Sequence, residues 1–388
     1  MLQTRFICLF LLTFIVVDSL SAQLSDASEI SLLTCRRGDD IYNMYGHTAI
    51  RITDPAVRMD QVYNYGVFSF SEPGFLMKFL RGKLLYRLEK SSYTRFTRNY
   101  IPSDRYGVAR GRSIIAQTLN LTTAEKNKIY QALETNCLPA NKSYYYDFFF
   151  DNCSTRCRDL FRNELSGISY PSGSEHPHTF RTLLDVYTEV WPFTDLGQDL
   201  IVGSVADQIA GVEGEMFLPE FLQSVLDRTT LNHQPFVKET KLLLDYEDLE
   251  TTRGEKPWPW PVIIFSLLLI LEFLRFIKRE RWSEYKWWRR LDSLWYLILG
   301  IGGLIIVFMW FGTDHLATKK NLNLLWMSPF FMMYAFNRSR SLGYLLASMM
   351  IAAILLSPMI QSLHPVVLMI IGITLLKICR HTLVARKT

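Results

Sequence analysis

Asp147-Phe-Phe-Phe-Asp-Asn-Cys-Ser-Thr-Arg-Cys-Arg-Asp159 is the stretch from which the rest of the chain is read. An aromatic, strand-like run stops at Asp151-Asn152, and a thiol opens what the pattern predicts to be a helix. Asn152 or Asp151 supplies the N-cap, Leu160, Phe161 and Leu165 carry the apolar face, and Gly167 supplies the stop. Cys153 then falls in the first helical turn. Unpaired N–H groups and the positive end of the helix dipole favour a thiolate there. Covalent chemistry is one expectation for such a group, and a buried structural cysteine is the other. A base elsewhere in the chain has to decide between them.

Tyr45-Gly-His-Thr-Ala-Ile-Arg-Ile52 alternates and is β-branched enough to predict a strand, closed by Asp54-Pro55. Gln61 to Phe68 predicts a second strand at hairpin distance. His47, beside Gly46, is the best partner for Cys153, because a thiol next to an imidazole is the minimal activated nucleophile. A third polar group usually orients the imidazole. Asn64 in the neighbouring strand is expected to do so, with Tyr63 and Tyr65 as rivals. Backbone N–H groups at the helix start, around Asp151 and Asn152, are the expected oxyanion donors. The order His…Asn…Cys reverses that of papain, so the arrangement reads as circularly permuted papain-like.

The remaining candidates carry less. Cys157 shares a helical face with Leu160 and Phe161 and is expected in the core. Cys35 and Cys137 are open to a disulfide or to staying free. His176 and His178 with Glu175 have metal-ligand types, but no second ligand cluster accompanies them, so a surface loop is expected and no metal. The chain has no Gly-rich phosphate loop, dinucleotide fingerprint or basic stripe. Neither a cofactor nor a nucleic-acid partner is expected.

Composition sets the frame for this chemistry. The chain has 388 residues, 49% apolar, with a net charge of +5. That is too apolar for an ordinary soluble domain and too polar for an all-membrane protein, so a mixed architecture is expected. Residues 1–22 read as a secretory signal, with Arg5, an apolar Phe6–Val17 core and Ser19-Leu-Ser-Ala22. Residues 23–256 read as a globular extracytoplasmic domain. It should open with a helix from Ser28 to Leu33 and contain strands at Leu84–Leu88 and Ser113–Leu119. A capped helix should start at Thr122, and another should run from Thr179 to Asp185. Phe75, Leu76, Phe79 and Leu80 sit at helical spacing after Ser71-Glu-Pro73, as a core-facing helix or as a greasy lip meeting lipid.

Lys256-Pro-Trp-Pro-Trp-Pro261 marks a boundary, and residues 257–388 read as a membrane domain. Apolar segments at 261–277, 294–312, 322–336, 342–360 and 365–379 give about five spans, the third and fifth being short. Lys278, Arg279, Arg281, Lys286, Arg289 and Arg290 crowd one connection. Arg338 and Arg340 mark the next on that side, and Arg380, Arg386 and Lys387 the tail. These loops are expected in the cytoplasm, which puts the large N-terminal domain outside.

Several blocks resemble a known family. They are Leu32-Leu-Thr-Cys-Arg-Arg-Gly-Asp39, Tyr45-Gly-His-Thr-Ala-Ile-Arg51, Val62-Tyr-Asn-Tyr-Gly66, Lys78-Phe-Leu-Arg-Gly-Lys83, Tyr146 to Arg156 and Phe217-Leu-Pro219. Asp314-His-Leu-Ala-Thr318 and Asn321 to Trp326 add to them. Together they resemble the bacterial lipoprotein N-acyltransferase family, with a periplasmic permuted papain-like domain of the lecithin–retinol acyltransferase type. Arg37 departs from the proline expected before Gly38-Asp39.

The resemblance implies an α+β periplasmic domain followed by an all-α membrane domain in the inner membrane. Cys153 would be the nucleophile and His47 its base. A membrane phospholipid would donate an acyl chain, and the α-amine of a diacylglyceryl-cysteine lipoprotein would accept it. Asp314, His315, Asn321 and Asn323 are expected at the outer membrane face as substrate-binding residues. Two other readings fit the residues: a membrane-anchored cysteine peptidase or amidase acting on cell-wall peptide, and a non-enzymatic binding or sensing protein.

Overall fold

The computed structural model describes residues 23–38, 40, 43–103, 111–173, 177–246, 257–278 and 286–384. The signal segment, Glu175, His176, Arg279, Arg281, Arg386 and Lys387 lie outside the described residues. The N-terminal half is mixed α/β around a seven-stranded antiparallel sheet. Its strands are β1 (Glu29–Cys35), β2 (His47–Asp54), β3 (Met59–Val67), β4 (Leu85–Ser92), β5 (Ile114–Leu119), β6 (Ser143–Tyr145) and a late strand, Val237–Leu244. The order across the sheet is Val237–Leu244, β5, β1, β2, β3, β4, β6.

Helix α1 (Phe75–Leu80) links β3 to β4, and α2 (Tyr93–Thr97) follows β4. Helices α3 (Thr123–Cys137) and α4 (Cys153–Glu164) come next. A core of Ile30, Leu32, Ile50, Ile52, Tyr63 and Tyr65 packs one sheet face against Ile129, Leu133, Cys157 and Phe161 of these two helices. The other face is covered by Phe96 and Tyr100 over Leu33, Cys35, Ala49 and Val62.

The expected helix over 28–33 is instead strand β1. It lies between β2 and β5 and is buried on both faces, so its apolar residues lose the period-two pattern that marks a half-exposed strand. The aromatic run before Cys153 also differs from expectation. Only Ser143–Tyr145 is strand; Asp147 then accepts hydrogen bonds at Oδ1 from the N–H groups of Phe149 and Phe150, both 3.0 Å, and folds the chain into a turn closed by an Asp147–Asp151 bridge. Phe149 is thereby driven into a core with Phe180 and Phe217. Beyond it stand α5 (Phe180–Thr188), α6 (Pro192–Ile201), α7 (Gly211–Glu215) and α8 (Pro219–Leu226).

Among the described residues, four helices of the second half are long and apolar enough to cross a membrane: α9 (Trp260–Ile277), α10 (Lys286–Phe311), α13 (Arg340–Ile360) and α14 (Pro365–Val384). The segment expected as a third span is two short helices, α11 (Asn323–Trp326) and α12 (Phe330–Phe336), interrupted at Ser328-Pro329. Proline has no N–H to donate and clashes with a preceding helical turn, so the ladder breaks there. The break packs on a glycine of α10: a Cβ on Gly303 would stand 2.0 Å from the Met327 carbonyl oxygen. Short as it is, the pair runs antiparallel to α10. Thr318 Oγ1 donates to Met309 O at 2.8 Å, Ser293 Oγ donates to Ala335 O at 2.8 Å, and Arg338 Nη2 donates to Arg289 O at 2.6 Å.

Arg380, expected in a basic tail, is buried with Arg275 and Lys377 around Glu272 and Asp292. Lys377 Nζ lies 2.6 Å from Asp292 and 3.0 Å from Glu272, and Arg380 Nη2 lies 2.9 Å from each acid. Charges this deep persist because each is paired, and the cluster ties α9, α10 and α14 together at one end.

Candidate active site

Helix α4 starts where the aromatic turn ends. Asn152 is its N-cap: Oδ1 accepts from the N–H of Ser154 (2.8 Å) and Thr155 (2.9 Å), and Thr155 Oγ1 accepts from the Asn152 N–H at 2.8 Å. A cap of this kind is worth about 1 kcal/mol. The Asn152 Nδ2 group donates to Phe148 O (2.9 Å) and Phe217 O (2.8 Å), which fixes the helix start against α8's approach. The side chain of Asn152 is thus fully used in structure. Asp151 is paired bidentately with Arg156 at 2.6 and 2.8 Å, so neither side chain is left as an oxyanion donor. The Cys153 N–H is the first-turn donor those contacts leave.

His47 and Asn64 come from adjacent strands. Residues 62 and 64 share one face of β3 while 63 and 65 share the other. Tyr63 accordingly donates its hydroxyl to Glu134, and Tyr65 accepts from Asn136 at 2.9 Å, so both rivals face away. His47 Nε2 donates to Asn64 Oδ1 at 2.6 Å, and the imidazole is hydrogen-bonded to Cys153. Between Asn64 and Val67 the register with β4 slips, and Gly66 takes φ +93°. Such a bulge bends the strand end and re-aims its side chains. A Cβ on Gly66 would lie 3.7 Å from both Cys153 Cβ and His47 Cε1, so this bare backbone forms one wall of the site. Gly46, at φ +78°, lets the chain enter β2; a Cβ there would meet Cys35 O at 2.9 Å.

The charges of the pair are set by competing effects. Burial pushes the Cys153 thiol up, but the His47 charge, the hydrogen bond from His47, the Thr48 N–H and Ser154 outweigh it, and its pKa is lowered. Burial pushes His47 down, and the charge of Cys153, its hydrogen bond and Asn64 reverse that, so His47 is raised. Both shifts favour thiolate–imidazolium over the neutral pair. Thr48 Oγ1 and Ser154 Oγ lie 2.8 Å apart and stitch β2 to α4, holding the two halves in register. The other thiols differ. Cys157 is fully buried and burial pushes it well up; Cys35, opposite His47 in the β1–β2 ladder, is raised to about 12 by burial. Cys35 and Cys137 are both free.

Sequence reasoning missed several neighbours of this pair. Arg112 and Tyr100 are buried near it, and Arg112 donates from Nε to Arg36 O at 2.8 Å. Tyr146 is raised by burial and by the Cys153 charge. Nothing in the local pattern marks these residues, because they reach the site by tertiary packing. His178 pairs with Glu215 at 3.0 Å, and the described residues contain no group of three or more side chains able to hold a metal. A groove of about 710 Å³ between α3 and α4, lined by Tyr65, Asn136, Asp151 and Arg156, contains neither Cys153 nor His47.

Two family models match most of the chain in the order the fold shows: Lnb N-terminal periplasmic domain over residues 20–186, and Lnb transmembrane domain over residues 253–388. The chain belongs to the Lnb family. It is therefore a multi-pass membrane protein with a periplasmic N-terminal domain. Comparison with curated proteins and with solved structures returned no match.

In this Lnb chain the four polar residues expected to bind substrate divide into two pairs. Asn321 and Asn323 are buried. Asn321 Nδ2 donates to Leu200 O and Ile201 O, both at 2.9 Å, and Asn323 Nδ2 donates to Asp199 O at 3.0 Å. Their oxygens accept from the Asn323 N–H and from Trp326 Nε1. These amides join the membrane half to α6. Asp314 and His315 are on the surface beside α1: the Asp314 N–H donates to Arg81 O at 2.9 Å, and His315 Nε2 donates to Phe79 O at 3.0 Å.

Proposed function

We propose that this protein is a thiol acyltransferase that moves an acyl chain from a membrane phospholipid to the α-amine of the lipid-modified N-terminal cysteine of a lipoprotein. The observation that carries the reading is the Cys153–His47–Asn64 constellation on a periplasmic domain packed against membrane-spanning helices. Cys153, His47 and Asn64 are assigned here as nucleophile, base and orienter. Their order in the chain suits a permuted papain-like domain, and the setting suits the inner membrane.

The Cys153 thiolate attacks the ester carbonyl of the phospholipid. A C–S bond forms, the ester C–O bond breaks, and the His47 imidazolium gives its proton to the departing alkoxide of the lysophospholipid. The acceptor amine then attacks the thioester. His47 takes the amine proton, the C–N bond forms, and the C–S bond breaks to return the thiolate. The Cys153 N–H at the head of α4 is placed to donate to the oxyanion in both halves. Asn64 keeps the imidazole in the orientation that faces the sulfur.

The test is reconstitution in liposomes with a diacyl phospholipid and a synthetic diacylglyceryl lipopeptide, read by mass spectrometry. The expected products are acyl-Cys153, a lysophospholipid and an N-acylated lipopeptide. Peptide or amide cleavage without acyl transfer would replace this reading with the peptidase one. Absence of any covalent intermediate on Cys153 would remove the thiol mechanism.

A further inference from the structure

Strand β3 runs from the thiol straight into an uncovered apolar edge. Gly66 faces Cys153, whose Cβ would lie 3.7 Å from a Cβ placed there, and two residues on, Phe68 packs on Tyr86 with ring centroids 5.1 Å apart. Tyr86 in turn stacks on Tyr146 at 4.5 Å, whose hydroxyl senses the Cys153 charge. In the other direction Phe68 meets Phe70 (4.9 Å) and Phe75 (6.0 Å), and Phe75 stacks on Phe79 (6.0 Å). The row ends in solvent: Phe70 is 70% exposed, Leu76 66% and Met77 57%. Helix α1 fully buries none of its residues; Phe75 packs against the core, and Leu76, Met77, Phe79 and Leu80 stay exposed.

The height of this edge is fixed by the membrane half. Helix α10 ends at Phe311, next to Trp310, and Trp258 and Trp260 stand exposed at the start of α9. Tryptophans at span ends mark the membrane–water boundary. Three residues past Phe311, Asp314 and His315 hold the carboxyl end of α1 through Arg81 O and Phe79 O. Gly82, at φ +68°, permits that contact: a Cβ there would lie 3.3 Å from the His315 nitrogen. Lys78, Arg81 and Lys83 flank the apolar residues; Lys78 pairs with Glu72 at 2.7 Å, and Lys83, 49% exposed, lies 3.7 Å from Asp314. A short apolar face with cations beside it is what an interfacial segment needs, greasy side in the acyl region and cations among phosphates.

We propose that Phe70 and residues 75–80 form a lip that dips into the periplasmic leaflet and guides one phospholipid acyl chain along Phe68, Phe75 and Tyr86 to Cys153. The occupant is an outer-leaflet phospholipid, and the assignment rests on the acyl-donor reading above. Insertion itself can be tested without turnover. p-Benzoylphenylalanine replaces Leu76, or Val57 at the far end of the β2–β3 hairpin, in full-length protein in phosphatidylglycerol–phosphatidylethanolamine liposomes. Irradiation should attach lipid at position 76 and not at 57. No lipid adduct at 76, while the same probe at Phe308 in α10 is adducted, would overturn the lip.

The second arm reads acyl-Cys153 formation against the mole fraction of ester phospholipid in an ether-lipid host. The double variant Leu76→Asp with Met77→Asp should raise the half-saturating mole fraction at least ten-fold with little change in the saturating rate. His315→Ala, which loosens the anchor, should raise it two- to five-fold. Acylation of Cys153 by a water-soluble short-chain thioester reports whether the thiol still works. Equal loss with both donors would make α1 a support of the site and overturn the proposal, as would an unchanged half-saturation in both variants. If wild-type protein adds lipid at position 76 but never forms acyl-Cys153, the acyl-donor reading fails while the lip stands.

Discussion

At the scale of single residues, the two cysteines of α4 are chemically opposite although only one turn apart. Cys153 faces His47 and Thr48, whereas Cys157 sits in the core, where burial and the Cys153 charge both disfavour a thiolate. Cys153→Ala should reduce acyl transfer to background, at least a thousand-fold, and abolish labelling by iodoacetamide at that position. Cys157→Ala should keep activity within about three-fold and cost about 1–2 kcal/mol of stability for the lost sulfur contacts. The reverse pattern would mean the nucleophile is misassigned. Asn64 accepts from His47 Nε2 and so favours the protonated ring. Its removal lowers the imidazole pKa. A bell-shaped pH–rate profile is expected, its acid limb set by Cys153 below the ordinary thiol value and its alkaline limb by His47 above the ordinary imidazole value. Asn64→Ala should move the alkaline limb toward lower pH and leave the acid limb nearly in place. His47, Asn64 and Cys153 were legible in the sequence because each has a type that carries chemistry and a local pattern that places it. The Gly66 wall was not, since a bulge is a property of how β3 pairs with β4.

At the scale of elements, the joint between the two halves carries a buried acid. Asp185 of α5 faces Asp195 and Asp199 of α6, Arg181 and His364, and one of its carboxylate oxygens has no hydrogen-bond partner among the described residues. Burial, then the Asp199 and Asp195 charges, raise it to about 7. The folded protein therefore holds a proton that an unfolded chain releases near pH 4. The stability this confers is present below pH 4 and is lost as pH rises toward 7. Asp185→Asn should flatten that slope and raise the thermal midpoint at pH 8 by about 2–4 °C, measured by scanning fluorimetry in detergent. An unchanged slope would show that another group controls it. The elements most easily read from sequence were those with a strong single period or a cap, such as α3 with its Thr122–Glu125 capping box. Strand β1 and the α11–α12 pair were misread for a shared reason: apolarity alone does not report how backbone hydrogen bonds are distributed. That Asn321 and Asn323 bond to α6 was not legible, because α6 lies in a stretch without a readable period.

At the scale of the molecule, four of the described helices are long and apolar enough to cross a membrane, and counting the α11–α12 pair, antiparallel to α10, as a further crossing predicts an odd number of passes between Trp260 and the carboxyl end. Reporter fusions at Asn163 should read outside the cytoplasm, and fusions near Lys286 and after Thr388 inside. A tail reading outside would mean that α11 and α12 turn back within the leaflet. The buried cluster beside the inner face predicts a further result. Asp292→Asn leaves Arg275, Lys377 and Arg380 around Glu272 alone. Stranding buried cations costs about 3–5 kcal/mol, so the variant should show a lower unfolding midpoint and poor yield, with Asp292→Glu partly restoring both. Asn321 and Asn323, bolted to the backbone of α6, have a kinetic meaning as well. By tying the membrane half to α6, they are expected to hold Cys153 at one height, so that it patrols a plane and does not sweep a volume. If both substrates are membrane lipids, as proposed, meetings are counted per unit of membrane area: diluting the vesicles tenfold in buffer should leave the turnover of each molecule unchanged, and only crowding or thinning the sheet of lipid around it should alter the rate.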